Sequence, residues 1–331
     1  MSTNLTEIAL SGARQIGRSF AIVSALPGAV FVAYVFALLS AISGPGQRPH
    51  SSALASAVND LSLLDVGLLS LAALAVGIVL QPLQFSSVQL LEGYWGGNTL
   101  GEAVMVMRIS QYRKVWSELT RRRNDAAVRL KTAGVEQRGP MSSTEDLAAL
   151  VALQESDRLR RAYPDAPNRI MPTRLGNVLR RHEDLAGSQY GLSAPLVAPH
   201  LGLISKKEHL DYLDDRRNEL DAAVRLFLVW ALCSAATVAV LWPAGLWLLV
   251  ALVPYGLAWL SYRGAVASAQ HYGQALATLL DLNRFQLYEQ LGLERPAGTK
   301  EERDLNATLM DLLRHRRAEL PYRQETPPTS T

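Results

Sequence analysis

The residues best suited to acid–base chemistry are His182, Glu183 and Asp184, which are consecutive, and the more distant His200. A carboxylate or imidazole can move a proton if it is held against a reacting group. Consecutive helical residues point in different directions, so this run is more typical of a helix surface than of a catalytic pair. None of the six histidines lies three or four residues from another, which argues against a helical metal site. We therefore assign no catalytic or metal-binding residue.

Other signatures of chemistry are missing from the sequence. It contains no GxxxxGK(S/T) phosphate loop, no HExxH zinc motif and no GxSxG nucleophile elbow. Cys233 is the only cysteine, which excludes an intrachain disulfide and any CxxC site. Basic and acidic residues are nearly balanced over 84–225, whereas a nucleic-acid-binding face is one-sided and basic. We therefore expect no cofactor and no nucleic-acid partner.

A long apolar segment determines the predicted architecture. Residues 226–262 contain no charge over 37 positions. As one helix they would be about 55 Å long, whereas the hydrocarbon core of a bilayer is roughly 30 Å thick. A Pro-Ala-Gly break at 243–245 divides the segment between two tryptophans, a residue type enriched at membrane interfaces. The pattern predicts a hairpin of two transmembrane helices, at about 226–242 and 246–262.

Two further apolar stretches predict an N-terminal hairpin within 1–95, with transmembrane helices at about 20–42 and 62–83. The alternative for the first stretch is a signal peptide cleaved near Ser43, although its apolar part is longer than that of a usual signal. Basic residues are concentrated in the terminal and central segments rather than in the loop at 43–60. The positive-inside rule therefore predicts that both termini are cytoplasmic in a bacterial inner membrane.

The remaining segments are predicted to be helical and cytoplasmic. Residues 96–207 form a helical domain, 208–292 contain the second hairpin with long helix extensions, and 293–319 contain a C-terminal helix. Residues 320–331 are rich in proline and threonine, and we expect them to be disordered. The apolar segment 190–205 contains two prolines and is predicted to be irregular. The predicted fold class is an all-α integral membrane protein with four transmembrane helices in two hairpins and an α-helical cytoplasmic domain.

Two local patterns concern helix ends and helix packing. Thr299 and Glu302 have the spacing of a capping box that would begin the last helix. Small residues spaced four apart would allow a second helix to approach closely. They are Ala265, Ala269, Gly273 and Ala277. Their partner is either the helix around 210–224 or another copy of the chain, so the row leaves a homo-oligomer open.

Several motifs share a pattern with a known group of proteins. LEGYW stands at 91–95 and MPTRLGNVL at 171–179, followed by ED at 183–184 and YG at 190–191. Together they resemble an uncharacterised group of bacterial, largely actinobacterial, multi-pass membrane proteins. That group continues with Trp-Pro-Arg-Leu, where this chain has Ala-Pro-His-Leu at 198–201. The resemblance implies a membrane protein and implies no activity.

These motifs supply the candidate structural or partner-contact residues. We expect Arg174 to form an internal ion pair with Glu183 or Glu92. The full set is Glu92, Tyr94, Trp95, Arg174, Asn177, Glu183 and Tyr190.

Three functional hypotheses follow. The leading one is an inner-membrane protein whose cytoplasmic domain serves sensing, scaffolding or recruitment of an unidentified cytoplasmic protein, because little of the chain is predicted to lie outside the cell. The second is an oligomeric channel or pore-forming effector gated by that domain. A membrane-bound enzyme is the third and least favoured. Besides the lipid bilayer, anionic lipid headgroups are a candidate partner of the arginines at 121–123, although a solvated helix face is the favoured interpretation of these arginines.

Overall fold

A computed structural model describes residues 26–42, 49–132, 144–315 and 318–320. Within these ranges the chain is all-helical and contains no strand, as predicted. The signal-peptide alternative and the start of the first predicted span depend on residues outside the described ranges. The predicted disorder after residue 320 also concerns residues that lie outside them.

Ten α-helices are found in the described part of the chain, together with three stretches of 3₁₀ helix. The last helix is described as far as His315, and its predicted continuation to about residue 319 depends on residues 316–317, which lie outside the described ranges. The α-helices are α1 Leu26–Ser40, α2 Ser51–Asn59, α3 Leu63–Glu92, α4 Thr99–Thr132, α5 Thr144–Arg160, α6 Arg174–Leu185, α7 Ala194–Ile204, α8 Lys207–Leu241, α9 Leu252–Gln290 and α10 Thr299–His315.

The chain divides into two compact units. Unit 1 comprises 1–89 and 219–265, and unit 2 comprises 90–218 and 266–331. The described residues include two helical runs that are long and apolar enough to cross a membrane, Leu63–Leu83 and Lys207–Gln290. The second run contains both helices of the predicted second hairpin, and α1 is too short over its described residues to qualify. Length and composition thus identify two candidate runs, the second of which contains two of the four predicted transmembrane helices, and the four spans are not confirmed.

Unit 1 is held together by close helix packing and a few polar contacts. A methyl group added at Gly28 would overlap the backbone of Ala73 and Gly77, so α1 and α3 approach as closely as glycine permits. Tyr34 on α1 hydrogen-bonds the Thr237 hydroxyl on α8 at 2.7 Å. The Tyr34 ring also meets Trp230 edge-on, with 6.3 Å between the ring centroids. These contacts fix α1 against both α3 and α8.

The reversal between α8 and α9 lies at the Pro-Ala-Gly break. Gly245 has φ 62° and ψ −121°, a backbone conformation outside the helical region that glycine adopts readily. The chain is 3₁₀-helical over Trp242–Ala251, so α9 begins at Leu252, later than the predicted start near 246. Further along, the rings of Phe227 and Tyr262 are 6.0 Å apart, which brings the two arms of the hairpin together.

The core of unit 2 is built from α7, α9 and α10. Segment 194–204 is a regular helix, so the prediction of irregular structure was wrong. Pro195 lies in the first turn, where a backbone N–H has no helical partner in any case. Burial of Ala194, Val197 and Leu201, all fully inaccessible, offsets the hydrogen bond that Pro199 removes.

Helices α4 and α5 form an antiparallel hairpin within unit 2. The Trp116 indole donates to the Pro164 carbonyl at 3.0 Å. Arg123 pairs with Asp157 at 2.6 Å. Its two neighbours, Arg121 and Arg122, both pair with Glu118 on an exposed face. The three arginines therefore make surface ion pairs, which solvent screens and which contribute little to stability.

Candidate functional site at the start of α6

The first turn of α6 is fastened to the end of α3. Thr173 is the N-cap of α6, and its hydroxyl accepts a hydrogen bond from the Gly176 N–H at 3.0 Å. The same hydroxyl donates to the Glu92 carbonyl at 2.9 Å. A Cβ at Gly176 would overlap that carbonyl, so only glycine permits this approach. The motif at 171–179 thus forms a close contact, the α3–α6 joint, between Glu92 at the end of α3 and the first turn of α6.

Asn177 fixes the loop that leads into this joint. Its side chain is fully buried, its oxygen accepts from the Met171 N–H at 2.9 Å, and its amide donates to the Met171 carbonyl at 2.8 Å. The amide also donates to the Thr173 carbonyl at 2.6 Å. Because these backbone groups are shielded from water, losing the asparagine would leave them without partners.

The LEGYW motif ends α3 on the other side of the joint. Gly93 has φ 103°, and a Cβ there would overlap the Pro172 ring. The Trp95 indole donates to the Leu90 carbonyl at 2.7 Å, which satisfies one of the last carbonyls of the helix. The motif therefore has a structural role, because it ends α3 and turns the chain toward α4.

Two carboxyl groups share the space beside this joint. Burial raises the pKa of Glu92, the charge of Glu183 raises it further, and Arg180 and Arg217 oppose the shift. Burial also raises the pKa of Glu183, against the effects of Arg180 and Arg169. Arg180 lies 3.6 Å from the Glu183 carboxylate.

Arg180 also donates to the Tyr94 hydroxyl at 2.9 Å. This arginine takes the role expected of Arg174, which instead is exposed at the start of α6. The spacing of three residues between Arg180 and Glu183 is the sequence signal that could have identified it.

The other candidate bases are engaged in structural contacts. The Asp184 carboxylate accepts three hydrogen bonds from Arg169, two from Nε at 3.1 and 3.2 Å and one from Nη2. The His182 ring lies against Gly273, and burial lowers its pKa. His200 Nδ1 is 3.1 Å from the Leu196 carbonyl of its own helix. Each of these three side chains therefore makes a contact within the chain.

The small residues spaced four apart on α9 pack inside the chain. Ala265 and Ala269 are fully buried. Gly273 leaves room for the His182 ring on α6, and Ala277 packs at the edge of the core of unit 2. The partner at Gly273 is therefore α6, an option that the sequence did not suggest.

Tyr190 belongs to a different polar cluster in unit 2. Its ring lies 4.0 Å from the Arg284 guanidinium carbon, and Arg284 donates to Glu302 at 2.9 Å. Glu302 is only 4% exposed and also accepts from Tyr288 at 3.0 Å. The predicted capping box with Thr299 was wrong, because this buried network occupies the Glu302 carboxylate.

The site can hold a proton or an ion pair, but it lacks the ligands of a metal centre. No group of three or more His, Cys, Asp or Glu side chains suited to a metal occurs among the described residues. The structure brings together Glu92, Tyr94, Asn177 and Glu183, with Trp95 adjacent, and leaves Arg174 and Tyr190 apart from them. Comparisons of this chain with protein-family models, curated proteins and solved structures find no match.

Proposed function

We propose that this chain is an integral, multi-pass protein of a bacterial inner membrane. Both termini are cytoplasmic, and unit 2 is held at the cytoplasmic face, where it serves sensing, scaffolding or recruitment of a protein partner. The bilayer is the environment of the two apolar helical runs.

The observation that carries the proposal is the exposed apolar surface of α3. Only 6% of the residues in the apolar part of Leu63–Leu83 are buried within the chain. Leu63, Leu71 and Ile78 are each more than half exposed. Burying a leucine or isoleucine side chain is worth about 1.5–3 kcal/mol, so such a helix is stable only where something apolar covers it.

The second helical run supports the same environment. Trp242 and Leu246, near the hairpin tip, are 73% and 85% exposed. Where the uncharged segment 226–262 ends, the Arg263 guanidinium carbon lies 4.9 Å from the centre of the exposed Trp259 ring. A tryptophan beside an arginine at the end of an apolar segment is typical of the membrane–water interface.

Unit 2 has the features of a domain that is stable in water. Its core is closed, and its buried acid Glu302 is paired with Arg284. Because polar helices make up most of this unit, and basic residues are abundant in it, the positive-inside rule favours the cytoplasm.

Detergent-free cell fractionation tests the proposal. We expect the full-length chain to sediment with membranes, to remain there after alkaline carbonate extraction, and to be released by mild detergent, because exposed apolar helices partition into lipid. A cytosolic enzyme from the same lysate serves as the soluble control. Recovery of the full-length chain in the aqueous fraction, folded and monodisperse, would contradict the proposal.

A further inference from the structure

The α4–α5 hairpin carries a large open groove lined by these two helices alone. Its volume is about 1010 Å³. Buried Leu119 and Ala126 form part of the floor on the α4 side, and Ala149 and Ala152 line it on the α5 side. Small side chains in the floor let a further helix approach closely, as helices in bundles do at 8–10 Å between axes.

The edge of the groove is apolar as well as charged. Val128 of α4 and Leu159 of α5 both line the groove and are 63% and 40% exposed. Large apolar residues grouped in this way on a soluble domain mark a surface that another helix covers. An antiparallel pair of helices also buries only one face of each helix, whereas a four-helix arrangement buries more.

The charges along the groove differ between its two sides. Two arginines of α4, Arg122 and Arg129, line one side together with a single acid, Asp125. Two acids of α5, Asp146 and Glu155, line the other side. The groove therefore has a mainly basic side and an acidic side. Two copies of the groove can face each other with opposite charges in contact.

We propose that a second copy of this chain docks in the groove and completes a four-helix bundle. In a two-fold symmetric contact the same surface serves both copies, and a two-fold axis parallel to the helices places α4 of each copy against α5 of the other. The basic side of one groove then meets the acidic side of the other, twice. The proposal concerns unit 2 and holds independently of membrane insertion.

The spacing of the charges fits this arrangement. With the two-fold axis parallel to the helices, α4 of each copy runs antiparallel to α5 of the partner, as it does to α5 of its own copy. The order of the charges along the helices then places Arg122 near Glu155 and Arg129 near Asp146. Arg122 and Arg129 are seven residues apart, or about 10.5 Å, and Asp146 and Glu155 are nine apart, or about 13.5 Å. The difference of about 3 Å lies within the reach of flexible arginine side chains.

A charge-swap experiment tests the contact with the full-length chain in mild detergent. The basic side is reversed in Arg122→Glu/Arg129→Glu, and the acidic side in Asp146→Arg/Glu155→Arg. Multi-angle light scattering after size exclusion gives the protein mass of the wild type, each variant and their mixture. We expect a dimeric wild type, and a dissociation constant at least about tenfold higher for each variant alone. The mixture should form a heterodimer, because both of its interfaces are again complementary.

The matched control reverses two nearby charges outside the groove, in Arg121→Glu/Lys131→Glu. We expect this control to dimerise like the wild type. Recovery of the heterodimer also shows that both variants fold. A monomeric wild type, a dimer unaffected by either double reversal, or a mixture that stays monomeric would each overturn the proposal.

Discussion

A Leu71→Arg variant is expected to lose stable insertion of α3. Leu71 lies near the middle of Leu63–Leu83 and is 62% exposed within the chain. Placing an arginine at the centre of a membrane helix costs about 2.5–3.5 kcal/mol on insertion scales. The measurement is the fraction of chain that remains in membranes after carbonate extraction, which should fall severalfold.

The control for this variant is a substitution in unit 2, at a residue whose exposed fraction is nearly the same as that of Leu71. Val106 on α4 is 63% exposed, and Val106→Arg replaces an apolar residue with arginine just as the test variant does. If both sites faced water, the two variants would behave alike, because isolated surface substitutions usually change stability by less than about 0.5 kcal/mol. Equal membrane fractions for the two variants would contradict a lipid environment around α3.

Replacing Gly176 by alanine is expected to destabilise unit 2 by about 1–3 kcal/mol, the usual cost of forcing extra volume into a packed site. The added methyl group would overlap the Glu92 carbonyl, a backbone atom that cannot rotate away. This cost exceeds the gain of up to about 1 kcal/mol that alanine brings to a helix interior. Chemical denaturation of the purified chain in mild detergent, followed by tryptophan fluorescence, measures the difference.

Gly202 provides the opposite case for comparison. It also lies within a helix, α7, but a Cβ there meets no atom within 4 Å. Gly202→Ala should therefore raise the free energy of unfolding by up to about 1 kcal/mol. If both alanine variants proved equally stable or more stable than the wild type, the joint between α3 and α6 would not be a tight contact.

Much of the secondary structure follows from local patterns in the sequence. The first arm of the second hairpin, predicted to end at about residue 242, agrees with α8, which ends at Leu241. The reversal at the Pro-Ala-Gly break was also predictable, because proline and glycine act on the backbone directly. In each case the signal lies in the same stretch of chain as the structure it determines.

The features that were missed depend on distant residues. Segment 194–204 is helical because one of its faces is buried in the core of unit 2. Its two prolines predict irregular structure, and the sequence pattern does not reveal this burial. Glu302 does not form the predicted capping box with Thr299, because its carboxylate accepts hydrogen bonds from Arg284 and Tyr288 instead. Gly273 accommodates His182, an imidazole 91 residues earlier in the chain, and no helical spacing predicts that contact.

The candidate site was predictable only in part. The motif residues Glu92, Asn177 and Glu183 do lie around one joint, but Arg180 rather than Arg174 lies beside the acids. Sequence spacing indicates that these positions share a helix. It does not indicate which side of that helix faces α3, because this depends on how closely Gly176 lets the helices approach.

Cysteine labelling of spheroplasts tests the central claim most directly. In a Cys233→Ala background, which removes a buried thiol, Ser52→Cys on α2 and Ser110→Cys on α4 each provide one exposed target. We expect a membrane-impermeant maleimide to label Ser52→Cys in intact spheroplasts and Ser110→Cys only after permeabilisation. Labelling of Ser110→Cys in intact spheroplasts would contradict the account, because unit 2 would then lie outside the cell.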